Sequence, residues 1–303
     1  MNGKITNQMQ IASLRRYTLT EGRAQGLDVI DCDNGKLRFL INVSKACDIM
    51  QMYHEGENLS YISKNGFDTR ELAFARRFEG GMLYTCGLDS LGARTGYEIH
   101  GTLHNIPAEI VRAEVTENEI AVEALIKDTN HVNRNLQIRR KISSRIGSTS
   151  VKVEDILENC GFEAMDYALL YHVNLGYPML DEGARVKADV TSFMTRTAHA
   201  EAEAATRFEM GAPIVGAEEC CYYYKLAKPE ISLENEKNGK RFTLTYSGDT
   251  LPAFVHWKNV ASGLYVMGFE PSTTELSDGF VYKTIAPGER ISFMIEMTVS
   301  SLK

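Results

Sequence analysis

The sequence predicts an all-β protein, a large antiparallel β-sandwich with few short helices. Short segments of alternating or β-branched apolar residues recur along the whole chain, and each is bounded by Gly, Asn, Asp or Ser. They lie near residues 36–44, 109–116, 119–126, 136–144, 149–159, 241–248, 254–260, 263–270 and 290–300. So many strand candidates, with only seven prolines and no linker-like tract, favour two large sheets whose strand-end loops form a concave face.

Helical spacing is present only in short pieces, at residues 70–78 and 11–17, where we expect short helices. Neither piece alternates with strands as a βαβ fold requires, which argues against a parallel doubly wound sheet. The 303 residues could form two average domains, but an all-β sandwich of this length commonly folds as one. We therefore predict a single domain over residues 1–303.

The composition and net charge limit the kinds of molecule that the protein is expected to bind. The chain carries 33 Lys and Arg against 40 Asp and Glu, a formal net charge of −7, without a long run of one sign. This balance argues against nucleic-acid or membrane partners and favours a small neutral or modestly charged ligand. The six cysteines show no CxxC spacing, which indicates free thiols in a reducing compartment. No signal-peptide or membrane-spanning pattern is visible, so a cytoplasmic location is expected.

Common catalytic motifs are missing from the sequence. There is no P-loop, dinucleotide-binding fingerprint, HExxH or GxSxG pattern, and the Cys and His residues are not spaced like a zinc site. His100 and His104 have a spacing that suits a helical metal pair, but Pro107 and the strand after it argue against a helix there. We therefore predict no metal and no organic cofactor.

Two ionisable residues interrupt or end strands that otherwise look buried. His172 lies within LLYHVNLGYPML, and Glu270 ends the apolar run before Pro271. A buried histidine needs a hydrogen-bond partner and titrates near neutrality, while desolvation raises the pKa of a carboxyl group. Taken alone, each residue could equally well have a purely structural role. Together, a histidine and a glutamate of this kind suit general acid–base catalysis.

Further candidates for ligand binding are scattered along the chain. Trp257 is the only tryptophan and can stack on a sugar ring, with Lys258 beside it as a donor. Arg76 and Arg77 could bind hydroxyl groups, although we expect one of the two to lie on the solvated surface. His100 precedes a glycine that lets a ligand approach the backbone.

Separated stretches of the chain resemble one protein superfamily. They are residues 48–63, 74–92, 99–110, 158–162, 169–180, 256–259, 268–273 and 285–290, and the most specific are LLYHVNLGYPML and GGMLYTCGL. In this order they resemble the galactose mutarotase-like superfamily, which includes aldose 1-epimerases, and within it the bacterial DUF4432 group. The resemblance implies a large antiparallel β-sandwich with a ligand cleft on one sheet face.

The resemblance also implies roles for individual residues. The YHVNLG motif looks like the mutarotase motif that carries the general acid, so His172 takes that role and Asn174 joins the substrate-binding residues. Glu270 is then the general base, His100 a substrate-holding residue, and Arg76, with Arg77 as the alternative, the arginine that contacts the sugar. The aspartate that binds sugar hydroxyls in mutarotases has no evident counterpart.

The implied function is that of an aldose 1-epimerase, which interconverts sugar anomers by acid–base ring opening and closure. The expected partner is a small sugar or sugar phosphate. Arg76, Arg77 and Lys258 leave a hexose-6-phosphate 1-epimerase open as an alternative. A non-catalytic sugar-binding or sensor protein on the same fold is a second alternative, and a polysaccharide-processing domain would need additional helical modules.

Overall fold

The computed structural model of the protein describes residues 3–70 and 72–302, and most of these lie in antiparallel strands. The strands in chain order are β1 Ser13–Thr18, β2 Asp28–Asp33, β3 Leu37–Asn42, β4 Asp48–His54, β5 Glu57–Asn58, β6 Leu83–Leu88, β7 Glu109–Val115, β8 Glu119–Thr129, β9 Asn135–Arg145, β10 Ser150–Asn159, β11 Met165–Leu175, β12 Arg185–Thr195, β13 Cys220–Asn235, β14 Lys240–Tyr246, β15 Ala253–Ala261, β16 Leu264–Ser272, β17 Lys283–Ile285 and β18 Arg290–Ser301. The α-helices are α1 Phe74–Arg77 and α2 Ala198–Ala202, and short 3-10 turns lie at Gln8–Gln10, Gly22–Ala24, Leu103–Asn105 and Ala204–Thr206.

The strands form two sheets. The smaller has the order β1-β2-β3-β4-β5, and the larger the order β17-β11-β16-β15-β13-β14-β18-β10-β9-β8-β7, with β12 paired to β13 and β6 paired to β11. This confirms the predicted all-β class and the large antiparallel sheets. In the part of the chain that the structure describes, no helix is long and apolar enough to cross a membrane.

Of the two short helices predicted from spacing, one segment forms a strand and the other contains a single helical turn. Residues 11–17 do not form a helix: β1 covers most of them and pairs with β2, where Leu14 lies opposite Cys32 and Arg16 opposite Ile30. The prediction was wrong because pairing with a neighbouring strand outweighs a weak local preference. In the segment 70–78, only the single turn of α1 is helical, and Glu71 lies outside the described residues.

One large hydrophobic core joins the two sheets. It includes Phe39 and Ile41 of the smaller sheet together with Ile138, Val153 and Phe293 of the larger one. A core shared between sheets supports the single domain over residues 1–303, which stays a prediction. Strands β6, β11, β15 and β16 are mostly buried along their length, which explains why their sequences read as nearly continuous apolar runs.

A buried ionic network crosses the junction between the sheets. The Arg140 guanidinium on β9 donates to both carboxylate oxygens of Asp155 on β10, to Oδ1 of Asp48 on β4 at 2.6 Å and to Oγ1 of Thr85. Asp48 also lies 2.7 Å from Nδ1 of His104. All five residues are buried, so every charge in the network depends on its partners.

His104 occupies a structural position. Its Nε2 lies 3.1 Å from Oε1 of Glu79, and its ring stacks on Tyr84 with centroids 3.7 Å apart. Burial disfavours the charged ring, but the Glu79 and Asp48 carboxylates together raise the pKa of His104. Because Tyr84 pairs with His172 across β6 and β11, this network lies directly beside the strand that carries His172.

Candidate functional site

A cavity of about 1450 Å³ opens over the face of the larger sheet that is turned away from the main core. Its floor comes from the adjacent strands β11, β16, β15 and β13, and loops around residues 61–65, 74–78, 91–100 and 275–280 form the walls. Six aromatic side chains line it: Tyr61, Phe74, Phe78, Tyr223, Trp257 and Phe280. A concave site with an apolar lining and a few polar groups is the usual form of a small-molecule site.

His172 and Glu270 meet at the floor of this cavity. Nε2 of His172, on β11, lies 3.2 Å from Oε1 of Glu270, on β16, and both side chains are buried. Strand alternation places them there: Leu169, Tyr171 and Val173 belong to the main core, so the intervening His172 faces the cavity. The two residues are 98 positions apart in the chain and meet because β11 and β16 pair.

Burial perturbs both groups in opposite directions. Loss of solvent lowers the pKa of His172 well below its usual 6.5, and nearby His100 lowers it further. Loss of solvent raises the pKa of Glu270 well above its usual 4.5, and the Glu219 charge adds to this rise while Arg196 opposes it. Burial therefore favours the uncharged form of each group, a neutral imidazole and a protonated carboxyl group.

A glycine makes room for this pair. Gly268 lies between Asn174 of β11 and Trp257 of β15 in the strand register. A Cβ atom on Gly268 would lie 2.7 Å from Oε1 of Glu270 and 3.2 Å from Cε1 of His172. The missing side chain therefore allows the carboxylate and the imidazole to approach each other.

Aromatic rings surround His172 on several sides. The ring centroid of His172 lies 5.4 Å from that of Trp257 and 5.7 Å from that of Phe78. Nε1 of Trp257 donates a hydrogen bond of 2.8 Å to Oε2 of Glu219, which fixes the indole ring. The indole and Phe78 rings thus border the space above the acid–base pair, where the apolar face of a sugar ring could stack.

His100 reaches the cavity from a tight loop. It has a φ of 63°, in the left-handed region, and is held there by backbone hydrogen bonds from Gly87 N to its carbonyl and from its own N–H to Gly92 O. Its Nδ1 is buried and has no hydrogen-bond partner among residues 3–70 and 72–302, and its ring centroid lies 5.6 Å from that of His172. Burial lowers the pKa of His100 to about 4, so a neutral ring faces the cavity.

Other residues predicted for the site lie elsewhere. Arg76 is exposed and does not line the cavity, and Arg77, the alternative, is buried in an ion pair with Glu98. Nζ of Lys258 donates to Thr206 O at 2.9 Å, also outside the cavity lining. Asn174 donates to the carbonyls of Gly81 and His172 and so holds the backbone near the catalytic candidates.

Two charged residues that form an ion pair at the cavity wall were not among the residues predicted from the sequence. Arg196 and Glu219 form an ion pair at the cavity wall, and Glu219 also accepts the hydrogen bond from Trp257. Glu219 stands just before the apolar run CCYYY, as Glu270 stands at the end of another, and this strand-end position was the available signal. Arg196, just after β12, carries no comparable pattern.

Apart from Glu270, cationic and acidic side chains line the cavity in equal numbers. Its lining includes three cationic side chains, Lys64, Arg94 and Arg196, and besides Glu270 three acidic ones, Glu219, Glu275 and Asp278. Arg94 lies over the Phe280 ring, 3.8 Å from its centroid, and Arg196 pairs with Glu219. Among residues 3–70 and 72–302, no group of three or more His, Cys, Asp or Glu side chains is placed to hold a metal ion.

Solved structures share this fold. A candidate aldose 1-epimerase from Klebsiella pneumoniae superimposes with a TM-score of 0.84 at 21% identity, covering 95% of this chain and 83% of the other. A galactose mutarotase-like protein from Clostridium acetobutylicum has a TM-score of 0.74 at 15% identity, covering 97% of this chain and 100% of the other. Galactose 1-epimerase from Lactobacillus acidophilus has a TM-score of 0.64 at 12% identity, covering 96% and 100%.

The sequence itself matches a family over most of its length. Residues 24–299 match the family described as Domain of unknown function DUF4432. No curated protein sequence matches the chain significantly. The protein therefore belongs to the DUF4432 family, and its fold is the galactose mutarotase-like fold that its sequence resembles.

Proposed function

We propose that the protein is an aldose 1-epimerase that interconverts the anomers of a neutral sugar, with His172 and Glu270 as its acid–base pair. The observation that carries the proposal is the 3.2 Å approach of His172 Nε2 to Glu270 Oε1 at the floor of a large cavity. The names of the structural neighbours agree with this reaction class. The balanced charges of the lining favour an uncharged sugar over a sugar phosphate.

Ring opening of a cyclic hemiacetal needs an acid and a base at the same time. With the proton on Glu270, this residue protonates the ring oxygen as the bond from C1 to that oxygen breaks. His172 takes the proton of the anomeric hydroxyl as the carbonyl forms. Closure on the other carbonyl face exchanges the two roles, so the pair regains its starting state. These starting roles are the reverse of those implied by the family resemblance, because burial favours neutral His172 and protonated Glu270.

The remaining cavity groups would position the sugar. Trp257 and Phe78 border the space above the pair, and Nδ1 of His100, which has no partner in the described part of the chain, would bind a hydroxyl group. Holding the ring in one orientation supplies a large part of enzymatic rate enhancement. The proposal requires no electron transfer and no stabilised carbanion, so the reaction needs no cofactor.

The direct test is the mutarotation of freshly dissolved aldoses and 6-phosphosugars, followed by NMR with and without the protein. Acceleration of one or more neutral aldoses supports the proposal. Acceleration restricted to 6-phosphosugars would replace the proposed substrate class. No acceleration of any sugar, with binding detected by calorimetry, would indicate a sugar-binding protein instead.

The pH dependence of kcat/KM should be bell-shaped, because the proposed starting state combines a neutral imidazole with a protonated carboxyl group. On the acid side, activity falls as the neutral His172 ring is protonated to the cation, and burial places this limb below pH 6.5. On the alkaline side, activity falls as Glu270 loses its proton, above pH 4.5. Initial rates corrected for the spontaneous reaction at each pH measure both limbs. An acid limb centred at or above pH 6.5 would contradict the assignment.

Gly268→Ala should lower kcat by about 10²-fold while the protein stays folded. The new Cβ would lie 2.7 Å from Oε1 of Glu270, so the carboxylate must move away from its working position, and a displacement of about 1 Å is enough for a loss of this size. Gly211→Ala is the matched control, because a Cβ there meets no atom of the described residues within 4 Å. Steady-state kinetics and circular dichroism compare the two variants, and equal kcat values would count against the proposed pair geometry.

His100→Gly should separate stability from binding. Glycine adopts the left-handed conformation freely, so the unfolding midpoint should stay the same or rise, while loss of the imidazole should lower kcat/KM by about tenfold, the equivalent of one hydrogen bond at ~1.4 kcal/mol. Glu55→Gly, at another residue with positive φ, controls for the backbone change outside the cavity. Unchanged kcat/KM in His100→Gly would remove His100 from the binding residues.

A further inference from the structure

The cavity is larger than one sugar ring requires. Its volume of about 1450 Å³ exceeds the ~300–1,000 Å³ of pockets that enclose drug-sized ligands, and a single hexose is smaller than such a ligand. A second pocket of about 300 Å³ adjoins it. The two share the lining residues Met194, Tyr223, Val255 and Glu275, so they lie side by side over these residues.

A row of side chains leads from the acid–base pair to this second pocket. In the strand register Glu270 pairs with Val255, Val255 with Tyr223, and Tyr223 with Met194. Neighbouring strands lie ~4.8 Å apart, so the three steps span ~14 Å. Pairs of aromatic rings, which are similar in size to a pyranose ring, have centroids ~4.5–7 Å apart, so a row of ~14 Å is long enough for two six-membered rings.

The second pocket has the lining expected of a sugar subsite. Met194, Tyr223 and Val255 provide apolar surface, while the Ser192 hydroxyl and the pair formed by Lys225 and Glu275, 3.8 Å apart, provide hydrogen-bonding groups. Met194, on the same face of β12 as Ser192, is 50% exposed.

We propose that the substrate is the reducing end of a disaccharide or longer oligosaccharide, whose second sugar unit lies in the pocket formed by β12, β13 and the start of β15. The reducing sugar occupies the floor over His172 and Glu270, and its glycosidic neighbour follows the row toward Met194. This inference rests on the proposed epimerase function and specifies its substrate class.

The test compares sugars that present the same reacting ring. For the monosaccharide that the protein turns over best, kcat/KM is measured beside disaccharides with that sugar at the reducing end; for glucose these are maltose, cellobiose and lactose. We expect at least one disaccharide to exceed its monosaccharide tenfold or more in kcat/KM. Ser192→Trp, which fills the second pocket, should reduce this ratio to about one. Asp189→Trp, at an exposed position of β12 outside both pockets, should leave the ratio unchanged.

The outcomes separate the two proposals. If monosaccharides are turned over at least as well as every disaccharide, or if Ser192→Trp leaves the ratio high, the oligosaccharide inference is overturned and the epimerase function stands. If no sugar of either size is accelerated, both proposals fail.

Discussion

Replacing Glu270 by Gln, or His172 by Asn, is expected to lower kcat for mutarotation by ~10²–10⁴-fold, the usual contribution of a general acid or base. Each change keeps the size and polarity of the side chain but removes its ability to exchange a proton. Because the two residues work on one proton, the double variant should lose little more than either single variant. NMR of the anomer ratio against time, corrected for the spontaneous rate, measures the loss.

The stability of Glu270→Gln distinguishes a catalytic defect from misfolding. Burial raises the pKa of Glu270, so above pH 4.5 the unfolded chain ionises this group while the folded chain keeps it protonated. Stability from this group is present below pH 4.5 and is lost as the pH rises through the folded-state pKa. The amide introduced by Glu270→Gln does not ionise and has no such loss. Near neutral pH the variant should therefore unfold at the same or a higher denaturant concentration than the native protein.

A carboxylate outside the cavity serves as the matched control. Glu218 is exposed, precedes Glu219 in the chain and does not line the cavity. Glu218→Gln should leave both the rate and the unfolding midpoint unchanged. Native-like turnover by folded Glu270→Gln or His172→Asn would overturn the proposed acid–base pair.

The sequence predicted the fold class and the main candidate residues because their signals are local. Alternation with a period of two identified most strands, and His172 and Glu270 were noticeable as ionisable groups in apolar runs. What no local pattern shows is strand pairing across distant parts of the chain. The contact of His172 with Glu270 depends on the pairing of β11 with β16, and Arg196 reaches the cavity only through the order of strands in the sheet.

Some errors were avoidable from strand geometry alone. Trp257 and Lys258 are neighbours on β15, and adjacent residues of a strand point to opposite faces of the sheet. Trp257 lines the cavity, so Lys258 points away from it and donates to Thr206 instead. Alternation places Asn174 on the opposite face from Val173 and therefore on the same face as His172. Its side chain nevertheless donates to two backbone carbonyls and does not line the cavity.

The largest effect on stability is expected for Arg140→Met. The change removes the cation that pairs with Asp48 and Asp155, both of which are buried. Burial favours the neutral form of Asp48, yet the Arg140 charge and the His104 and Thr85 hydrogen bonds hold its pKa below the usual 3.8, which shows how strongly this carboxylate depends on its partners. Removing one member of a buried ion pair typically lowers the free energy of unfolding by ~3–5 kcal/mol.

The matched control for Arg140→Met is a substitution of the preceding residue on the same strand, Arg139. Arg139 is exposed on β9, so Arg139→Met should change the free energy of unfolding by no more than ~0.5 kcal/mol. Denaturant unfolding followed by circular dichroism gives both values. If Arg140→Met is too unstable to purify, Arg140→Met combined with Asp155→Asn tests the same cause, because it removes one of the two carboxylates that lose the Arg140 charge.

The combined variant should be more stable than Arg140→Met alone, because the carboxylate that lost its partner is replaced by a neutral amide. An equal or lower stability would mean that Arg140 acts through the volume it fills and not through its charge. The Arg140 network also contacts the strand that carries His172, because Tyr171, which precedes His172 on β11, donates to Asp155 at 2.7 Å. Loss of the network should therefore loosen the strand that holds His172 against Glu270, and kcat should fall along with stability in Arg140→Met but not in Arg139→Met.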